Sequence, residues 1–182
     1  MKKKAVVFAV VFAFLIVSAG CIFQNDFDSG FAELKEIRQR YGLEQELGPA
    51  EPEKTAAFKS EIDNLKQRTK SSEFSSLLDI QKNNAETIES LVMAELEIAR
   101  LNTENMDCGK ESPIENAIAL LEKAESRSSL AQKKLESFKN ANPGLAQQLS
   151  ETGFDSERLK TLNLAISGQL EIAKELKFYN CP

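Results

Sequence analysis

Residues 112–138 read SPIENAIALLEKAESRSSLAQKKLESF, and this stretch decides the fold. Ile114, Ala117, Ile118, Leu121, Ala124, Ala131, Leu135 and Phe138 recur at spacings of three, four or seven, which places them on one face of a helix. Ser112 is set to cap that helix, Pro113 to fill its first position and Glu115 to meet the positive end of its dipole. Ser128 falls on the same narrow face as a small packing residue, and Asn142-Pro143-Gly144 ends the run.

Working outward, Asn142-Pro143-Gly144 also starts a short helix that closes near Gly153. Asp155 then caps a last helix carrying Leu159, Leu162, Ile166, Leu170, Ala173 and Leu176. On the N-terminal side, a helix is predicted from about Phe74 to Glu104, broken by Asp107-Cys108-Gly109. Its core face is expected to hold Leu78, Ala85, Ile88, Val92 and Ala99, widened by Leu91, Ile98 and Leu101. Another helix is predicted from Pro52 to Lys70 with Phe58, Ile62 and Leu65 inward. The polar cluster Thr69 to Glu73 separates the two, a single bent helix being the other reading. The first helix is predicted from about Ser29 to Tyr41, with Phe31, Leu34 and Ile37-Arg38 giving partial helical spacing and Gly42 as its stop.

No β-branched run of period two occurs after residue 25. The chain is therefore predicted to be all-α, an elongated antiparallel bundle over 29–182, with a linker near 43–53 and a tether at 21–28. At ~1.5 Å per residue the third helix would span roughly 45 Å. Leu96-Glu97-Ile98-Ala99-Arg100 is echoed by Leu170-Glu171-Ile172-Ala173-Lys174, which hints at two duplicated hairpins.

Composition narrows the chemistry. The 182 residues contain no histidine, which excludes Ser-His-Asp and Cys-His catalysis and removes the commonest transition-metal ligand. The net charge is −5, or −8 without Lys2, Lys3 and Lys4, and the remaining cations form only short pairs such as Lys133-Lys134. An acidic surface repels phosphate backbones, so no nucleic-acid partner is expected.

The first twenty residues are of another kind. Lys2 to Lys4 precede an unbroken apolar run from Ala5 to Val17, and small residues follow, the parts of an export signal occupying 1–20. Ser18-Ala19-Gly20-Cys21 resembles the lipobox of prokaryotic membrane lipoproteins, with Ser18 where that family has an aliphatic residue. The resemblance covers only this segment. It implies cleavage after Gly20, a diacylglyceryl thioether on Cys21 and residence on the extracytoplasmic face of a membrane. Two other readings stay open: cleavage after Ala19 to release the chain, and retention of Ala5 to Phe23 as a single membrane-spanning anchor.

Three cysteines in an exported chain leave one over if two pair. Lipidation of Cys21 uses the odd thiol. An antiparallel return of the last helix brings Cys181 back to Cys108, so these two are expected to form a disulfide.

The carboxylates Glu86, Glu89, Glu95 and Glu97 have helical spacing but lack the His of bundle metal sites, and Glu95 alone sits near the apolar stripe. Ser71, Ser72, Ser75, Ser76, Ser126 and Ser129 have no base to activate them. No nucleotide loop, acidic calcium loop, metal site, cofactor motif or catalytic set is present, and the chain is not expected to be an enzyme. Two functions remain. One is a binding or scaffolding module for another envelope protein. The other is a small-ligand sensor or solute-binding subunit of a membrane complex. An exposed apolar strip on a filled bundle would favour the first, and a cavity of several hundred Å3 with polar anchors the second.

Overall fold

The structure, a computed structural model, describes residues 26–43, 46–101, 107–145, 149 and 154–181. It is an all-helical bundle: α1 (26–40), α2 (Pro52–Arg68), α3 (Ser72–Ala99), α4 (Pro113–Ala141) and α5 (Ser156–Asn180), with a 3-10 turn at Pro143–Leu145. The described residues contain no strand.

Interhelical ion pairs fix the directions. Between α1 and α2, Arg40 meets Glu61 and Glu33 meets Arg68. Between α2 and α3, Lys59 meets Glu89 and Lys66 meets Asp79. Between α4 and α5, Glu115 meets Lys177 and Glu122 meets Lys174. Numbers rise on one helix as they fall on the other, so each of these pairs is antiparallel. The pairs range from half-buried to exposed and add little energy individually; the cores hold the helices together.

There are two cores along the α3–α4 axis. The larger gathers Phe27, Phe31, Phe58, Phe74, Phe138 and Phe154 with surrounding leucines and isoleucines, where α1 and α2 cover α3. The smaller joins Ala94, Ile114, Leu121, Ile166, Leu170 and Ala173 of α3, α4 and α5. Between them α3 buries Asn84, Thr87 and Ser90, and α4 buries Ser128. Every apolar position expected on α4 is buried. Ser112 and Asp155 cap their helices as expected, accepting from the N–H of Glu115 and of Glu157.

Several expectations change. Helix is already present at residue 26 and Phe27 is 7% exposed, so residues 26–28, expected in the tether, belong to α1. Phe27 packs on Phe74 and Phe138, which draws this segment into the core. The Asp26 carboxylate accepts from the Thr69 hydroxyl and from the N–H groups of Lys70 and Ser71, at 3.1, 2.9 and 2.8 Å. Ser71 in turn caps α3 through Phe74 N–H. That corner separates α2 from α3 and rules out one bent helix.

α3 stops at Ala99, where Arg100 caps it, and does not reach Glu104; residues 102–106 lie outside the described residues. Its buried face is Phe74, Leu77, Leu78, Ile80, Gln81, Asn84, Ala85, Thr87, Ser90 and Ala94. Ala99, expected inside, is exposed, and Val92 is half-buried. The linker is no solvent loop, because Leu43 and Leu47 are buried in the larger core. The repeat blocks differ in setting: Leu96 is 52% exposed where Leu170 is 6%.

Gly42 adopts φ +68° and lets Leu43 N–H return to the Arg38 carbonyl, ending α1. At Gly30 a Cβ would lie 2.4 Å from the Phe74 ring, so only glycine allows α1 to sit this close to α3.

Candidate functional site

Cys108 and Cys181 are joined by a disulfide, with Cα atoms 5.6 Å apart. The antiparallel return of α5 along α4 brings them together. The Cys181 N–H ends α5 by bonding the Lys177 carbonyl. Cys21 lies outside the described residues. The chain enters the bundle at the corner formed by Asp26 and residues 69–71, and the disulfide lies at the opposite end of α3 and α4. At ~1.5 Å per residue the 28 residues of α3 separate these ends by roughly 42 Å.

The acidic residues of α3 do not converge. Glu86 pairs with Arg127 of α4, Glu89 with Lys59 of α2, and Glu97 with Arg100 one turn on. Glu95, expected beside the core, is exposed. No group of three or more Cys, Asp or Glu that could hold a metal occurs among the described residues. Ser128 is fully buried with its hydroxyl unpartnered, whereas Ser71 is the cap of α3.

The most concentrated polar feature is one that the periodicity of α1 does not reveal. Arg38 is 3% exposed. Its Nη1 donates to Gln81 Oε1 at 2.7 Å, and its Nη2 to the Leu43 and Glu46 carbonyls at 2.6 and 2.9 Å. The guanidinium also lies 5.7 Å from the centre of the Phe154 ring. Gln81 completes the link by donating to the Leu47 carbonyl at 3.0 Å. Burial, with nearby Arg158 adding to it, lowers the Arg38 pKa to about 10, so it stays protonated at neutral pH. Its partners are neutral oxygens, two from the segment between α1 and α2 and one from Gln81 of α3, so its work is to dock that segment against α3.

Surface depressions are open clefts. One of about 480 Å3 lies at the entry corner beside Phe27, Ser71 and Leu145. Another of about 570 Å3 lies between Glu46, Ile88, Arg158 and Thr161. A third, about 710 Å3, runs along α4 and α5 past Glu125, Glu171, Glu175 and Tyr179.

This last cleft adjoins exposed apolar side chains. Leu164, Ile172, Phe178 and Tyr179 of α5 are 68, 59, 77 and 79% exposed. Phe178 and Tyr179 stand edge to face with centroids 5.4 Å apart. The described residues include no helix long and apolar enough to cross a membrane; residues 1–25 are not among them. The chain matches no protein family, no curated protein and no solved structure.

Proposed function

We propose that the chain is a lipoprotein held through Cys21 on the extracytoplasmic face of a membrane, and that its bundle is a binding or scaffolding module for another envelope component. The observation that carries the scaffolding part is the set of exposed apolar side chains on α5, on a bundle that already buries two apolar cores of its own. Isolated surface leucines mean little, but grouped apolar side chains mark interaction surfaces. The lipid part rests on the leader and Ser18-Ala19-Gly20-Cys21. Under this reading the entry corner faces the membrane and the disulfide end faces outward.

The test is the state of the mature N-terminus. Intact-mass analysis should find a chain beginning at acylated Cys21 that partitions with detergent, and Cys21→Ser should abolish the acyl mass. A native chain recovered with Met1 in place, and a Cys21→Ser chain still in the membrane, would refute lipid anchoring in favour of a retained leader.

A further inference from the structure

α5 is apolar on two sides. Leu159, Ile166, Leu170 and Ala173 face the core. At about 100° per residue, Leu164, Gly168, Ile172 and Tyr179 fall together on the outward side. Four of the seven large apolar side chains exposed among the described residues belong to this one helix. With Gly168 and the interspersed Glu171 and Glu175 they make one strip, apolar and acidic by turns.

Gly168 sits at the middle of that strip. A Cβ there would meet nothing within 4 Å, so no neighbour inside the molecule requires glycine. Glycine is nevertheless the poorest helix former after proline. Bare backbone between Leu164 and Ile172 admits close approach by a second helix.

The cleft beside Phe178 and Tyr179 is lined by three carboxylates, Glu125, Glu171 and Glu175, and one ammonium, Lys174. Lys174 is occupied by Glu122 at 2.9 Å, and Glu125 accepts from the Ser167 hydroxyl. Among the described residues Glu171 and Glu175 have no ion-pair partner, and they line the cleft with Phe178 and Tyr179. Apolar side chains, open aromatic faces and unpaired carboxylates ask for a ligand that is both apolar and cationic.

We infer that the outward face of α5 docks a basic amphipathic helix of a partner protein. The apolar residues of that helix lie against Leu164, Ile172, Phe178 and Tyr179 and cross at Gly168. Its Lys and Arg side chains meet Glu125, Glu171 and Glu175. This rests on the partner-binding part of the proposed function and needs neither the lipid nor the leader. Parallel pairing with a second copy sets Glu171 and Glu175 against their own mates, and antiparallel pairing, which sets Leu164 against Ile172, would show as a dimer in sedimentation. An anionic lipid surface is repelled by the same carboxylates.

The chain has no tryptophan, so Phe178→Trp supplies a unique fluorophore at the strip. The probe is a synthetic Leu/Lys amphipathic helix of about 18 residues, long enough to form a helix. It is titrated into the full chain in mild detergent, and its emission should shift to the blue and saturate. Adding Glu171→Lys/Glu175→Lys, or Gly168→Leu, should weaken binding by about tenfold or more, while Glu36→Lys/Glu53→Lys on exposed α1 and α2 should change it less than about twofold. A peptide with Glu in place of Lys should not bind.

No blue shift, or equal weakening by the two pairs of charge reversals, overturns the inference. So does a blue shift that grows with protein concentration alone alongside a dimer in sedimentation, which identifies a second copy. Quenching by brominated lipid in nanodiscs identifies a lipid surface and also overturns it. Loss of peptide binding with Cys21 acylation intact removes this face alone; the converse removes only the anchor.

Discussion

Arg38→Met keeps an unbranched apolar stem and deletes the guanidinium that ties the segment after α1 to α3. The structure sets the magnitude. Two fully buried bonds go to Gln81 Oε1 and the Leu43 carbonyl, and a third, partly buried, goes to the Glu46 carbonyl. Hydrogen bonds to charged groups are worth about 1.5–3 kcal/mol each, and orphaned buried acceptors cost about 1–3. Losing the cation also relieves the desolvation that lowers its pKa to about 10. We expect a net loss of about 3 kcal/mol, large beside a total stability of ~5–15. For a chain of this size that lowers Tm by roughly 6–12 °C. Urea and thermal unfolding followed by far-UV circular dichroism measure it. Arg40→Met, which loses only an exposed pair with Glu61, is the control and should cost under about 1 kcal/mol. Arg38→Lys should fall between, since one ammonium cannot reach three separate oxygens. An Arg38→Met chain within about 1 kcal/mol of the parent would refute this account of the linker.

Two further outcomes follow from the same geometry. Cys108→Ser/Cys181→Ser opens a link with a sequence separation of 73, whose closure constrains the unfolded chain by about 4 kcal/mol; calorimetry should find Tm lowered by roughly 8–16 °C, and an unchanged Tm would contradict it. The Asp26 carboxyl is held below its usual 3.8, first by the Lys70 N–H and also by the Thr69 hydroxyl and Ser71 N–H, against the opposing effect of burial. A depressed folded-state pKa gives stability that is present above the unfolded value and lost as pH falls through the folded one. Urea midpoints of the parent should therefore drop more steeply below about pH 4 than those of Asp26→Asn, and parallel curves would rule the contribution out.

The sequence by itself determined the helices and most of their ends. Those signals are local: a 3.6-residue period on α4, Ser112 and Asp155 as caps, Gly42 at positive φ. It also determined the Cys108–Cys181 pairing, because a last helix antiparallel to α4 can only return there. Arg38 was not legible, since a cation beside an apolar stripe reads as a solvated rim until the segment after Gly42 folds over it. Gln81, Asn84 and Thr87 were missed for a related reason: a polar residue is placed inside only by partners or packing from other elements. The linker reads as a loop from Gly48-Pro49 and Pro52, and only packing in the larger core decides that Leu43 and Leu47 are buried. On α5 the periodicity already marks the inner face, and Leu159, Ile166, Leu170 and Ala173 are buried as it requires. What the sequence does not show is the fate of the other side: only the position of α4 and the end of the bundle decide that Leu164, Ile172, Phe178 and Tyr179 meet no other element and stay in water.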